Sequence, residues 1–330
     1  MDYKELIKQI KDNNFCSIYF YYGEEKYLLK HYVNEIKDKV LVDTMEEFNF
    51  RLLEDSSATS GNVIEFCDSY PVMSQKKLLI IKNCDYFKGK KNDAIEELIE
   101  YLKNIPEYVH VLFIQDTFDK KSSLYKFVND KACCVEFKKL DEKQLQGWCA
   151  KQIKEDGMEI DIKAAQYLVE ILEGDMQKIK NESLKLSSYA KERGIITIDD
   201  VKMICIKSLS YEVFEMVDYI IKKNIKNAIL QLNEILNSKE SEIKILGLII
   251  WNMRTLHKVK LAIEEGIQEY SMPKRLGISF VSKYISQANG YSLSKLQKAL
   301  ILCSEADIQM KSTGIDNKII LEKLIIQIAN

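Results

Sequence analysis

Glycine is scarce and widely spaced: twelve occur in 330 residues, and no two stand closer than ten positions. A phosphate loop of the Gly-x-x-x-x-Gly-Lys kind, or the Gly-x-Gly-x-x-Gly turn of dinucleotide sites, needs close glycines so that backbone N–H groups converge on the phosphate. Neither motif occurs here, so no tight ATP site and no nucleotide cofactor are expected. Proline occurs three times, which leaves long helices uninterrupted. The cysteines stand at 16, 67, 84, 133, 134, 149, 205 and 303, with no Cys-x-x-Cys pair. Zinc and redox sites usually need that spacing, so free thiols in a reducing compartment are expected. The three histidines, His31, His110 and His257, have no cysteine or histidine at ligand spacing, and no serine lies in a Gly-x-Ser-x-Gly elbow. No metal site and no catalytic residue is therefore assigned. No apolar run is long enough to span a bilayer. The charged start Met1-Asp2-Tyr3-Lys4-Glu5 lacks the apolar core of a signal peptide. A cytoplasmic location without membrane contact is the expectation.

Apolar residues make up 46% and charged residues 30%, the balance of a folded globular chain. Over residues 1–140, strand-like and helix-like patterns alternate. Ser17-Ile18-Tyr19-Phe20-Tyr21-Tyr22 stops at Gly23; Glu47-Phe48-Asn49-Phe50-Arg51-Leu52 alternates at period two. Lys77-Leu78-Leu79-Ile80-Ile81, Val109-His110-Val111-Leu112-Phe113-Ile114 and Cys134-Val135-Glu136-Phe137 are further short apolar runs. Helical patterns follow Gly23 through Leu28, Tyr32 and Ile36, and recur at Ala94–Leu102 and Ser122–Val128. Strands that are apolar throughout, separated by helices, predict a parallel sheet covered on both faces. Beyond Leu140 strand signals stop. Asp141 is a candidate N-cap, and Thr197-Ile198-Asp199-Asp200 resembles a capping signature. From about Tyr211, stripes such as Leu246, Ile249, Met253, Leu256, Val259 and Ile263 predict a helical bundle. The expected fold is α/β plus all-α: an α/β domain at 1–140, a small helical domain at 141–209 and a helical bundle at 210–330.

The net charge of −2 excludes a strongly basic nucleic-acid coat, yet residues 251–300 carry eight lysines and arginines against three glutamates. Arg254 and Lys258 there, with Lys88, Lys90 and Lys91 around Gly89, are candidate DNA-facing residues; a solvated helix face is the commoner use of such runs. The turn after the first strand, Gly23-Glu24-Glu25-Lys26-Tyr27, stands where a phosphate loop would. Its two carboxylates compete with phosphate for the helix N-terminus. Asp116, ending Phe113-Ile114-Gln115-Asp116, stands where an ATPase keeps its magnesium carboxylate; without phosphates a solvated or capping role suits it better.

Several segments resemble one family. Ile18 to Leu28 is similar to an opening strand with a Gly-x-Glu turn. Tyr70-Pro71-Val72-Met73-Ser74-Gln75-Lys76-Lys77-Leu78 resembles a segment of two hydrophobics, basic residues and a strand. Phe118-Asp119-Lys120-Lys121 resembles an Asp-Lys-Arg-like turn; Gly174-Asp175-Met176 with Asn181-Glu182 and Lys185-Leu186 resembles a lid. Ala306-Asp307, Lys311, Gly314 and Leu321-Glu322 with Leu324-Ile325 resemble a collar terminus. Together they resemble the delta subunits of bacterial DNA polymerase III, in the clamp-loader branch of the AAA+ proteins. The resemblance implies an AAA+-like head, a lid and an oligomerising collar. It implies a chain without nucleotide chemistry that binds and opens the sliding clamp (beta subunit). Gamma/tau and delta prime subunits would be its partners, and primed DNA would be reached through the complex, whose polymerase activity resides in other chains.

The family's clamp anchor is usually Leu or Phe followed by Phe; here Pro71, Val72 and Met73 take that place. Val72 and Met73 also suit packing beneath a helix of their own domain, which the resemblance disfavours. Full burial of both against a partner would contribute roughly 3–6 kcal/mol before ordering costs. Two other readings remain: an AAA+ ATPase with a divergent site, which the glycine spacing disfavours, and a non-enzymatic DNA-binding helical protein.

Overall fold

The computed structural model describes residues 3–41, 45–88 and 93–330, with side chains from residue 5 onward. The chain divides into two compact units, Met1–Leu140 and Asp141–Asn330.

The first unit runs α1 (Tyr3–Lys11), β1 (Ile18–Gly23), α2 (Lys26–Val40), α3 (Glu46–Asn49), β2 (Phe50–Glu54), α4 (Ser60–Asp68), β3 (Lys77–Lys82), α5 (Asp93–Lys103), β4 (Val109–Gln115), α6 (Ser123–Lys131) and β5 (Cys133–Phe137). The strands form one parallel sheet in the order β2-β3-β4-β1-β5. Every residue of β4 is buried, His110 and Gln115 included, and five of its seven residues are apolar, the mark of a strand covered on both faces. Phe20, Leu79, Val111 and Phe113 face α4, α5 and α6 in one core. On the opposite face Tyr21 meets Phe137, which in turn stacks on Tyr32 of α2.

Two expectations need correction in this unit, and two helices were not foreseen. The period-two stretch at 47–52 is strand only from Phe50: Glu47, Phe48 and Asn49 lie in α3. Six residues are too few to separate a helical turn from an alternating strand. Helices α1 and α4 were not expected, although buried Leu6 and Ile10 on α1 and the Thr59 cap of α4 mark them. Cys16 and Cys133 are not free thiols but a disulfide, with Cα atoms 6.4 Å apart and 117 positions between them. Cys-x-x-Cys spacing has no bearing on such a pair. The sheet order puts β5 beside β1, with Tyr19 opposite Cys133.

The second unit opens with α7 (Glu142–Glu155), β6 (Glu159–Ile160), α8 (Ile162–Ile171), α9 (Met176–Tyr189), β7 (Ile195–Ile196) and α10 (Ile198–Ile204). Asp141 and Gln144 close a capping box on α7, and Thr197 and Asp200 close one on α10. Strand signals do not stop entirely at Leu140: β6 and β7 pair in parallel, though over two residues each. Then follow α11 (Leu209–Ile221), α12 (Ile225–Asn237), α13 (Glu242–Glu264), α14 (Met272–Leu276), α15 (Val281–Asn289), α16 (Leu293–Ser312) and α17 (Asn317–Ala329). Their stripes, among them Ile249, Met253, Leu256, Leu296 and Leu324, share one core.

Candidate functional site

The loop between α4 and β3 is held at its base by a buried lysine. Lys77, the first residue of β3, is 1% exposed. Its ammonium donates to the carbonyls of Phe66 (2.7 Å) and Ser69 (3.0 Å) and to the Ser69 hydroxyl, and lies 4.0 Å from the Phe66 ring centre. A cation at the carbonyl end of α4 satisfies acceptors the helix leaves unpaired. Burial pulls this ammonium below the ordinary lysine value. The Lys77 amide donates to Tyr108 O (2.7 Å), whose ring lies against Tyr70 (5.6 Å).

Above that base the loop turns its apolar side chains outward. Pro71 is half-buried, Val72 is 40% exposed, and Tyr70 and Met73 are each 79% exposed. The alternative of packing under the domain's own helix is therefore not what Met73 does. Met73 also adopts φ +48°, a left-handed conformation that costs a non-glycine residue of order 1 kcal/mol or more and persists only when its surroundings enforce it. Asn49 of α3 holds the preceding residue from behind: its side-chain oxygen accepts from Val72 N (2.8 Å), and its amide nitrogen donates to Val72 O (2.9 Å) and Met45 O (3.1 Å). Phe48, next to Asn49, is likewise exposed.

At the carboxyl ends of β1 and β4 the chain closes on itself. Gly23 has φ +129°, and a Cβ there would sit 2.2 Å from the Phe137 carbonyl oxygen. Only glycine allows this approach, which lets Glu25 N donate to Phe137 O (2.9 Å). The Glu25 carboxylate caps α2 by accepting from Tyr27 N (3.1 Å), so the chain supplies its own anion where a phosphate would dock. Lys26 pairs with Asp116. Asn83 completes the knot, donating to Asp116 (3.2 Å) and accepting from the Asp116 amide (3.2 Å). The Lys26 ammonium, then Asn83, holds the Asp116 carboxyl below its usual range. Among the described residues no group of three or more His, Cys, Asp or Glu is gathered for a metal.

Of the basic candidates, Lys88 is exposed and pairs with Asp85 at 3.4 Å. Lys90 and Lys91 lie outside the described residues. Arg254 and Lys258 stand one turn apart on the exposed face of α13, beside exposed Trp251. His110 is buried; Cys16 O lies 2.8 Å from its Nδ1, and burial lowers its pKa. Asn49 and Lys77 escaped sequence reasoning. Asn49 read as one polar step of an alternating strand and Lys77 as the charged start of an apolar one, and no local signal marks either as buried.

Two sequence models match this chain. That of the DNA polymerase III delta subunit covers residues 19–138, and that of the C-terminal domain of the same subunit covers 210–328. The chain is 26% identical to DNA polymerase III subunit delta of Bacillus subtilis, over 97% of this chain and 95% of the relative. It is 26% identical to a probable DNA polymerase III subunit delta of Aquifex aeolicus, over 76% and 72%. The solved DNA clamp loader delta protein of Bacillus subtilis has the same fold, with TM-score 0.76, 24% identity and 99% of each chain covered.

Proposed function

The chain belongs to the delta-subunit family of DNA polymerase III, non-catalytic subunits of the clamp loader, and from that premise we propose that Pro71, Val72 and Met73 form the tip by which it grips the sliding clamp. The observation that carries this reading is an apolar pair presented outward by a loop whose own polar groups are tied down. Pro71 stiffens the approach, and the unbranched Met73 adapts to an apolar pocket on the ring. Binding that favours a less curved clamp subunit shifts the ring toward its open form, because a ligand moves an equilibrium only by its differential affinity for the two states. Val72 is already more than half covered, so burial gains less than the sequence suggested, about 2–4 kcal/mol, or roughly two to three decades of affinity.

The helical segment 141–209 serves as the lid and 210–330 as the collar that joins gamma/tau and delta prime. The shared core of α11–α17 and the family match beginning at residue 210 support this division. Primed DNA is reached through the assembled complex, with Arg254 and Lys258 as the candidate phosphate contacts; their exposure on one face of α13 supports this reading. The setting is cytoplasmic; among the described residues no helix is long and apolar enough to cross a membrane.

A titration of the Val72→Ala/Met73→Ala double variant against the cognate clamp tests the tip. Affinity is expected to fall by about a hundredfold with the melting temperature unchanged; unchanged affinity would remove the assignment.

A further inference from the structure

The apex of the tip has few ties of its own. Among the described residues no backbone-to-backbone hydrogen bond is made by an amide between residues 70 and 76, and the bonds that reach Val72 come from the Asn49 side chain. Asn49 is 2% exposed, so its amide is removed from water and has to find protein partners. It finds three, two of them the N–H and C=O of one residue, the pairing that a facing strand residue would otherwise supply. Few side chains can both donate and accept in this way. Aspartate accepts from Val72 N but turns its second oxygen toward the carbonyls of Val72 and Met45. Leucine fills the space and makes no bond. Glutamine carries the right group one methylene too far.

We infer that Asn49 is a positioning residue for clamp docking: its amide fork fixes the Val72 backbone, so that Val72 and Met73 are held in one orientation before the clamp arrives. The inference rests on the reading of the tip given above. The left-handed Met73 is the consequence one residue on. A free loop would seldom hold that conformation, whereas a loop pinned at Val72 presents it continuously. Ordering the apex beforehand removes an entropy loss from the docking step.

The test uses the full chain and its clamp. Asn49→Asp and Asn49→Leu are each expected to weaken clamp affinity about tenfold, the effect of losing one or two backbone bonds. In the Val72→Ala/Met73→Ala background the same changes are expected to add nothing, because the groups they position are gone. Hydrogen exchange at the Val72 amide reads the mechanism directly: slow in the unaltered protein, fast in both variants, with the amides of β3 and β4 unchanged. Random-coil exchange at Val72 in the unaltered protein overturns the inference without any variant, even should the variants fail to fold. Affinity retained while Val72 exchange accelerates also overturns it, and leaves the tip assignment standing. Unchanged affinity in the double alanine variant removes the tip assignment itself.

Discussion

The two ends of the parallel sheet have been put to opposite uses. At the carboxyl ends of β1 and β4, where open α/β sheets ordinarily bind ligands, Lys26, Asp116, Asn83 and Glu25 pair with each other and with the backbone. At the amino ends of β2 and β3, Asn49 and Lys77 likewise satisfy the local backbone, but Tyr70, Val72 and Met73 are left facing out. What differs is the remainder: ion pairs and a helix cap at one end, and apolar side chains still exposed, Tyr70 and Met73 above all, at the other. The docking role proposed above rests on this contrast between a closed end of the sheet and an open one.

The largest effect that sharpens this comparison concerns the amino end. The Cys16–Cys133 bridge ties the approach to β1 to the start of β5. Its loss, by reduction or as Cys16→Ser/Cys133→Ser, is expected to lower the stability of the first unit by about 2–4 kcal/mol. Chemical denaturation with and without reductant measures this. Thiol counting in denaturant should give six without reductant and eight with it, since Cys67, Cys84, Cys134, Cys149, Cys205 and Cys303 are free. Eight in both cases would dissolve the bridge.

The next effect sets tip against corner on a single readout. Met73→Asp places a charge where an apolar side chain should be buried, and is expected to weaken clamp binding by about a hundredfold or more. Lys26→Ala, in the corner, should change it less than about twofold, within the range of ordinary surface substitutions. Equal losses would mean that the corner, not only the tip, meets the partner.

The smallest effect is the pH dependence of the corner. The Asp116 carboxyl lies below its ordinary value in the folded state, so its contribution is present above the unfolded value of 3.8 and fades as pH falls through the folded one. The pair is more than half exposed, so the contribution is below about 1 kcal/mol. Asp116→Asn should therefore lower stability by less than about 1 kcal/mol at neutral pH, with the difference vanishing as pH falls below about 4 and the acid limb slightly flattened; a stability curve identical to that of the unaltered protein would show that the pair contributes nothing.

Much of the fold was legible because the signals are local. Runs such as Val109–Ile114 are apolar at all positions but His110, so they read as strands buried on both faces, and Asp141 and Thr197 mark helix starts by the bonds their side chains make within four residues. The Pro71-Val72-Met73 segment was singled out by its resemblance to the family and not by a residue pattern of its own. Its supports were not. Asn49 lies 23 positions from Val72, and Lys77 looked like any charged strand end.

The amino-acid order alone excluded a phosphate loop, because that motif is a matter of neighbouring glycines and no folding brings distant glycines into one turn. It also placed most of the strands and the helical remainder, whose apolar periods are written over a few residues each. Only the tertiary structure decided that Cys16 meets Cys133, that Asn49 reaches Val72 and that Lys26 finds Asp116. Those meetings depend on strand order, and strand order is set by how whole faces pack rather than by any short stretch of chain.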